Sequence, residues 1–177
     1  MQDANLFNRY AIALLELSIE KGEVKEYRKE VKLIKDLLHE NKEFSLVLDD
    51  IYKNNDEKFA LVDKIFATFI EDIRNFIKTI IKNKRCFYLY EIFKEALFRF
   101  DDYLNIEEGT LYIAKEMDEK EIQKIISAIE EKEKVNLELE IVIDPSIIGG
   151  FIVSIKNNVY DSSVITKLEN LKSSLTK

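Results

Sequence analysis

Residues that interrupt regular secondary structure are almost absent from this chain. Its 177 residues include one Pro and four Gly, a composition that disfavours a loop-rich β architecture and favours long uninterrupted helices. Hydrophobic residues make up 46% of the chain, which is enough to close one core, or two small cores in series. We therefore expect a mainly α protein.

The spacing of apolar residues predicts six helices before residue 105. Apolar positions recur at helical intervals in segments 3–20, 24–38, 44–51, 59–66, 69–81 and 87–104. Asn54-Asn55-Asp56 precedes the fourth segment, where short polar side chains can cap free backbone amides. The basic run 82–85 follows the fifth, where cations complement the helix dipole. Six amphipathic segments with short connections predict a helical bundle over residues 1–105.

The periodicity changes character at residues 105–109, which makes this segment the predicted domain boundary. Beyond it the pattern predicts strands at 110–114, 137–143 and 151–156, a helix at 118–131, a turn at 157–158 and a last helix ending at 175. Asp118 and Glu121 resemble a capping box, and Ser162 or Ser163 can cap the last helix. Gly149-Gly150 predicts positive backbone φ or close chain approach. Residues 106–177 are thus predicted to form a small α/β domain.

Charge and hydropathy limit the possible partners. Residues 1–105 carry 18 Lys and Arg against 20 Asp and Glu, a net charge of −2, and residues 106–177 carry 9 against 14, a net charge of −5. Without a concentrated basic face, binding to nucleic acid is disfavoured. The longest stretch without charged residues, 145–155, has 11 residues, fewer than the roughly 20 that span a bilayer as a helix. Membrane association would therefore require partner proteins.

The side chains that usually perform catalysis are scarce. There is one His and one Cys; His39 lies near a helix end, where a structural or exposed role is favoured. Cys86 is interpreted as a core-filling thiol rather than a thiolate activated by Arg85. No Lys-Ser or Lys-Thr follows Gly149-Gly150 at the spacing of a phosphate-binding loop. We predict no catalytic, cofactor or metal site, and a lone Cys without a secretory signal predicts a reducing, cytoplasmic setting.

One positive feature remains in the first segment. Its apolar residues span an arc of roughly 200° on a helical wheel, wider than the stripe of an ordinary surface helix. Two interpretations fit this arc equally well: a helix buried on most sides, or a helix that packs on the core and also lines a groove for a partner.

Three stretches resemble the delta subunits of bacterial F-type ATP synthases, the family that includes the mitochondrial oligomycin-sensitivity conferral protein. They are Arg9-Tyr10-Ala11-Ile12-Ala13-Leu14; Asn75-Phe76-Ile77 followed by Asn83-Lys84-Arg85; and residues 143–151, Ile-Asp-Pro-Ser-Ile-Ile-Gly-Gly-Phe, followed by Val159-Tyr160-Asp161-Ser162-Ser163. The chain departs from the family pattern at Ser162 and Lys167, where Gly and Arg are usual. The three stretches occur in the family's order across the whole chain.

This resemblance implies a non-catalytic connector in the peripheral stalk, or stator, of the ATP synthase. One copy per complex would bind N-terminal helices of alpha subunits through residues 1–105 and the C-terminal ends of b subunits through residues 106–177. It would be peripheral to the cytoplasmic face of the cell membrane and serve ATP synthesis coupled to hydrogen ion or other ion transport. The alternative is a helical adaptor or scaffold of another assembly.

The resemblance also gives the wide apolar arc a specific role as part of the alpha-subunit groove. The predicted groove residues are Tyr10, Ala13, Leu14 and Leu17 on the first helix and Phe76, Thr79 and Ile80 on the fifth. Ala13 lies at the edge of the arc, and its small side chain permits the close approach that a docked helix requires.

Overall fold

A computed structural model describes residues 2–49 and 54–175. The chain forms two compact units, Met1–Leu104 and Asn105–Lys177. The predicted fold class, mainly α with a small α/β part, is confirmed. The first unit contains α1 (Gln2–Lys21), α2 (Val24–Glu40), α3 (Lys42–Asp49), α4 (Asn55–Ile65), α5 (Glu71–Lys82), a 3-10 turn (Cys86–Tyr88) and α6 (Leu89–Leu104). The second contains β1 (Ile106–Ile113), α7 (Glu119–Glu133), β2 (Asn136–Ile143), β3 (Phe151–Ile155), β4 (Asn158–Asp161) and α8 (Val164–Leu175).

The N-terminal unit is built around α6, which packs against both α1 and α2. Its core contains large side chains that are almost wholly inaccessible to water, among them Tyr27, Phe66, Phe93 and Phe100. Burial of such aromatic and aliphatic surface is the main favourable term in folding. Asn54 caps α4 as predicted, since its Oδ1 accepts a hydrogen bond from the Glu57 N–H at 2.8 Å.

Polar side chains of α2 fix its position against two other helices. The Tyr27 hydroxyl donates to Asp72 Oδ2 at 2.6 Å, and a Glu30 carboxylate oxygen accepts the Ile70 N–H at 2.8 Å, so both bonds reach the start of α5. On α6, Asp101 Oδ1 accepts a hydrogen bond from Arg28 Nε at 2.5 Å. Arg28 is only 8% exposed, so this ion pair is largely shielded from water.

Removing the acidic partner of this pair is expected to be costly. We predict that Asp101→Ala lowers the free energy of unfolding by about 3 kcal/mol, because it removes the Asp101 carboxylate from the largely buried Arg28 guanidinium. The neighbouring exposed Asp102 supplies the control, and Asp102→Ala should change stability by less than about 0.5 kcal/mol. Urea unfolding of the two variants measures both values; equal effects would contradict a structural role for the pair.

The C-terminal unit contains a four-stranded sheet in the order β2-β1-β3-β4. β1 pairs in parallel with β2 along its whole length and antiparallel with β3. Ile122, Ile125 and Ile129 of α7 belong to the cluster around Leu111 and Val153, so α7 covers one face of the sheet. This arrangement matches the expected α/β character, with the strands out of sequential order.

Three features differ from the sequence-based expectations. β4 was not predicted; it is only four residues long, pairs antiparallel with β3, and its Tyr160 hydroxyl donates to the Glu133 carboxylate at the end of α7. β1 begins at Ile106 rather than at residue 110, so Gly109 lies within a strand. Asp118 precedes α7 but makes no side-chain capping bond, so the predicted capping box is wrong.

Other predicted boundaries agree with the structure within a few residues. Ser163, one of the two expected caps, immediately precedes α8, and its Oγ accepts the Thr166 N–H at 3.3 Å. The predicted third helix was extended to residue 51, but α3 is described only to Asp49; residues 50 and 51 lie outside the described part of the chain.

Candidate partner-binding site

Cys86 and His39, the two side chains considered for catalysis, have surroundings that indicate structural roles. Cys86 is 1% exposed, and its burial raises the pKa of the thiol to about 11, opposite to the shift that activates a nucleophile. His39 is exposed, and its ring stacks on that of Tyr90 with centroids 5.6 Å apart. Within residues 2–49 and 54–175, no group of three His, Cys, Asp or Glu side chains could hold a metal ion.

The wide apolar arc of α1 resolves into two neighbouring stripes. Ala11 and Leu14 are buried in the core, whereas Tyr10 and Leu17 are half-buried and Ala13 is exposed. Tyr10, Ala13 and Leu17 are three and four residues apart, so they lie on one side of the helix. The arc is therefore divided: one stripe belongs to the core, and the other remains accessible.

α5 supplies a second accessible edge beside this stripe. The rings of Tyr10 and Phe76 meet edge to face with centroids 5.9 Å apart, and Phe76 in turn contacts Phe93 of the core at 5.8 Å. Thr79 is exposed, and its hydroxyl donates to the Asn75 carbonyl at 2.8 Å. A partner that covers Thr79 would therefore not bury an unpaired hydroxyl donor.

Two of the seven predicted groove residues do not reach the surface. Leu14 is 1% exposed and Ile80 is fully buried, because each belongs to the core-facing stripe of its helix. They are part of the core and do not line an accessible surface. The accessible apolar surface, which we call the α1–α5 surface, comprises Tyr10, Ala13, Leu17, Phe76 and Thr79.

Polar residues beside this surface were not included in the sequence-based site. Asn83 Nδ2 and Arg85 Nη1 donate to the Tyr10 hydroxyl oxygen at 2.8 and 2.9 Å, and the Arg85 guanidinium lies 5.6 Å from the centre of the Tyr10 ring. These contacts fix the orientation of Tyr10. The sequence singled out residues 82–85 only as a basic helix end and as part of a family motif.

The Gly149-Gly150 segment has the structural role that was predicted. Gly150 has φ of +84°, and a Cβ at this position would lie 2.3 Å from the Ser162 carbonyl oxygen. The loop before β3 therefore needs both the positive φ and the absence of a side chain. The Ser162 N–H donates to the Phe151 carbonyl at 2.9 Å.

Alanine substitutions at Gly150 and Gly22 should separate the steric requirement from the requirement for positive φ. We predict that Gly150→Ala destabilises the C-terminal unit by about 3 kcal/mol or more, because the methyl group collides with backbone. Gly22 also has positive φ, +72°, but a Cβ there would meet nothing within 4 Å, so Gly22→Ala should cost only about 1 kcal/mol. Hydrogen exchange of amides in β3 and in α1 measures the two effects; similar losses would rule out the steric explanation.

Within the described part of the chain, none of the helices combines the length and apolar character needed to cross a membrane. An accessible aromatic and small-residue surface between two helices, next to fixed polar donors, is suited to receiving an amphipathic helix. The chain thus combines this surface, in its helical unit, with a second, α/β unit.

Comparison with known proteins gives the family. The family model described as ATP synthase delta (OSCP) subunit matches residues 6–175. The ATP synthase subunit delta of Clostridioides difficile is 31% identical over 175 residues, covering 96% of this chain and 95% of the relative. That of Mycoplasma mobile is 29% identical over 167 residues, covering 94% and 93%. The chain therefore belongs to the ATP synthase delta (OSCP) family, as its sequence motifs predicted.

A solved structure supports the fold. A chain in the cryo-EM structure of the Toxoplasma gondii mitochondrial ATP synthase hexamer aligns with a TM-score of 0.58 at 22% identity, covering 97% of this chain and 98% of that one. Family membership makes the chain a peripheral-stalk component of an F-type ATP synthase, so its role belongs to ATP synthesis and the associated ion transport.

Proposed function

We propose that this chain is the non-catalytic connector that joins the catalytic head of the ATP synthase to the b subunits of the peripheral stalk. The observation that carries the proposal is the α1–α5 surface, which is apolar, accessible and backed by a well-packed core. One copy of the chain would hold the head against rotor torque. Catalysis would take place in other subunits.

The N-terminal unit, residues 1–105 in the sequence-based division, would bind an N-terminal helix of an alpha subunit. Tyr10 and Phe76 provide a rigid aromatic floor, since each ring packs against a neighbour. Ala13 leaves room for close approach of the docked helix. Apolar burial against a preorganised surface gives affinity at low entropic cost.

The C-terminal unit, residues 106–177, would engage the C-terminal ends of the b subunits. It exposes large apolar side chains, of which Ile148 is 78% and Val159 is 64% exposed. The net charge of this part of the sequence is −5, from 9 Lys and Arg against 14 Asp and Glu. Apolar residues in an acidic setting favour a partner segment that is amphipathic and basic or mixed in charge.

This arrangement would place the chain at the cytoplasmic face of the cell membrane, attached only through its partner subunits. The test is purification of the tagged full-length chain from detergent-solubilised membranes, with identification of the proteins that accompany it. Recovery of both alpha and b subunits is expected. Recovery of an unrelated assembly without either would contradict the proposal.

A further inference from the structure

A cavity of about 280 Å³ lies beside the α1–α5 surface. It is lined by Leu6, Arg9, Tyr10, Ala13, Asn83 and Arg85. Leu6, Arg9, Tyr10 and Ala13 follow one another at helical spacing on α1, whereas Asn83 and Arg85 come from the connection after α5. Because Ala13 and Tyr10 belong to both, the cavity is continuous with the apolar surface.

The charge of this cavity is unusual for the chain. Of the five arginines in the sequence, three are paired with carboxylates: Arg28 with Asp101, Arg74 with Asp63, and Arg99 with Glu95. The other two, Arg9 and Arg85, both line the cavity. Among the side chains that the structure describes, no carboxylate pairs with either of them, although the net charge of the chain is −7.

The hydrogen bonds around Tyr10 leave further donor capacity in the cavity. The Tyr10 hydroxyl oxygen accepts from Asn83 and Arg85, and no described group accepts its proton. Arg85 uses one N–H for this bond and retains others, since a guanidinium carries five. Arg9, which directly precedes Tyr10 on α1, is exposed. Two guanidinium groups and a phenol thus line a space whose described lining contains no carboxylate.

We infer that this cavity is a carboxylate-recognition site, which binds one Asp or Glu side chain of the alpha-subunit helix docked on the α1–α5 surface. The inference rests on the proposed function, because that docking places the helix beside the cavity. Guanidinium groups bind carboxylates through charge-assisted hydrogen bonds. One such contact at the end of an otherwise apolar surface fixes the direction and register of the docked helix.

The test is a double-mutant cycle on the full-length protein with a synthetic peptide of the alpha-subunit N-terminal helix. Arg9→Gln removes one guanidinium from an exposed position and should weaken peptide binding about tenfold. Arg99→Gln on α6 is the matched control and should leave affinity unchanged. Peptides in which each Asp or Glu is replaced in turn by Asn or Gln complete the cycle.

One amidated peptide is expected to lose the same factor of about ten and to bind wild type and Arg9→Gln equally well. Additive losses, or unchanged affinity for every amidated peptide, would overturn the inference while leaving helix docking intact. Failure of the unmodified peptide to bind wild-type protein would instead overturn the docking itself, and the inference with it. Saturable binding of inorganic phosphate near Arg85, without coupling to any peptide carboxylate, would assign the cavity to a free anion and also refute the inference.

Discussion

Replacing Ala13 with Asp is expected to weaken binding of the alpha-subunit N-terminal helix by at least about a hundredfold while leaving the protein folded. Ala13 is exposed in the free protein, so the new carboxylate can reach water there. Docking of an apolar helix would desolvate it. A carboxylate that turned instead toward Arg9, four residues earlier, would occupy the cavity and compete with the partner's acidic side chain. Both outcomes oppose binding, and the added bulk prevents close helix approach.

The control for this variant is Ala60→Asp, a second exposed alanine within a helix, α4. Both substitutions should cost about 0.7 kcal/mol or less in helix propensity. The thermal unfolding temperature of each variant should therefore stay close to that of wild type. Titration with the alpha-subunit peptide should separate them. Unchanged affinity of the Ala13 variant would contradict the groove assignment, and a collapse of its thermal stability would show that Ala13 is part of the core.

Removing residues 105–177 is expected to eliminate attachment to the b subunits and to leave alpha-subunit binding within about twofold of wild type. The N-terminal unit has its own core, and the α1–α5 surface lies wholly within it. We therefore expect the fragment ending at Leu104 to unfold cooperatively. Full-length protein carrying Ala13→Asp is the complementary control, because it should keep b-subunit binding.

The outcomes for the fragment are distinct. Retained binding to b subunits would reverse the assignment of the two units. Lack of a cooperative unfolding transition would show that the N-terminal unit depends on the rest of the chain. Two measured affinities decide between these results: one for the alpha-subunit peptide, and one for a soluble segment taken from the C-terminal end of the b subunits.

Helical periodicity located all six N-terminal helices, because each buries one face in a common core and so repeats its apolar residues at helical spacing. The small sheet was harder to predict. β4 is too short for an alternating pattern, and Asn157-Asn158 suggested a turn, although Asn158 already belongs to the strand. β1 contains Glu107, Glu108 and Gly109, which were assigned to the predicted domain boundary rather than to a strand. Gly109 lies so close to Ser154 and Leu139 that a Cβ would meet them within 3 Å.

Which residues of the α1–α5 surface are accessible was predicted in part. The width of the α1 arc indicated more than one contact face, but periodicity could not show that Leu14 faces the core while Ala13 remains exposed. That division depends on where α6 and α5 pack, which is a tertiary property. Asn83 and Arg85 were visible as a motif, yet their contact with Tyr10 joins residues more than seventy positions apart.

The most direct test of the connector role uses cells that lack this chain, compared with cells complemented by the wild-type chain. We expect ATPase activity to move from the membrane to the soluble fraction with unchanged activity per catalytic head, while ATP synthesis and ATP-driven ion transport by the membranes are lost. Heads that remain firmly bound to coupled membranes, or soluble heads that have lost their ATPase activity, would contradict a non-catalytic connector between head and stalk.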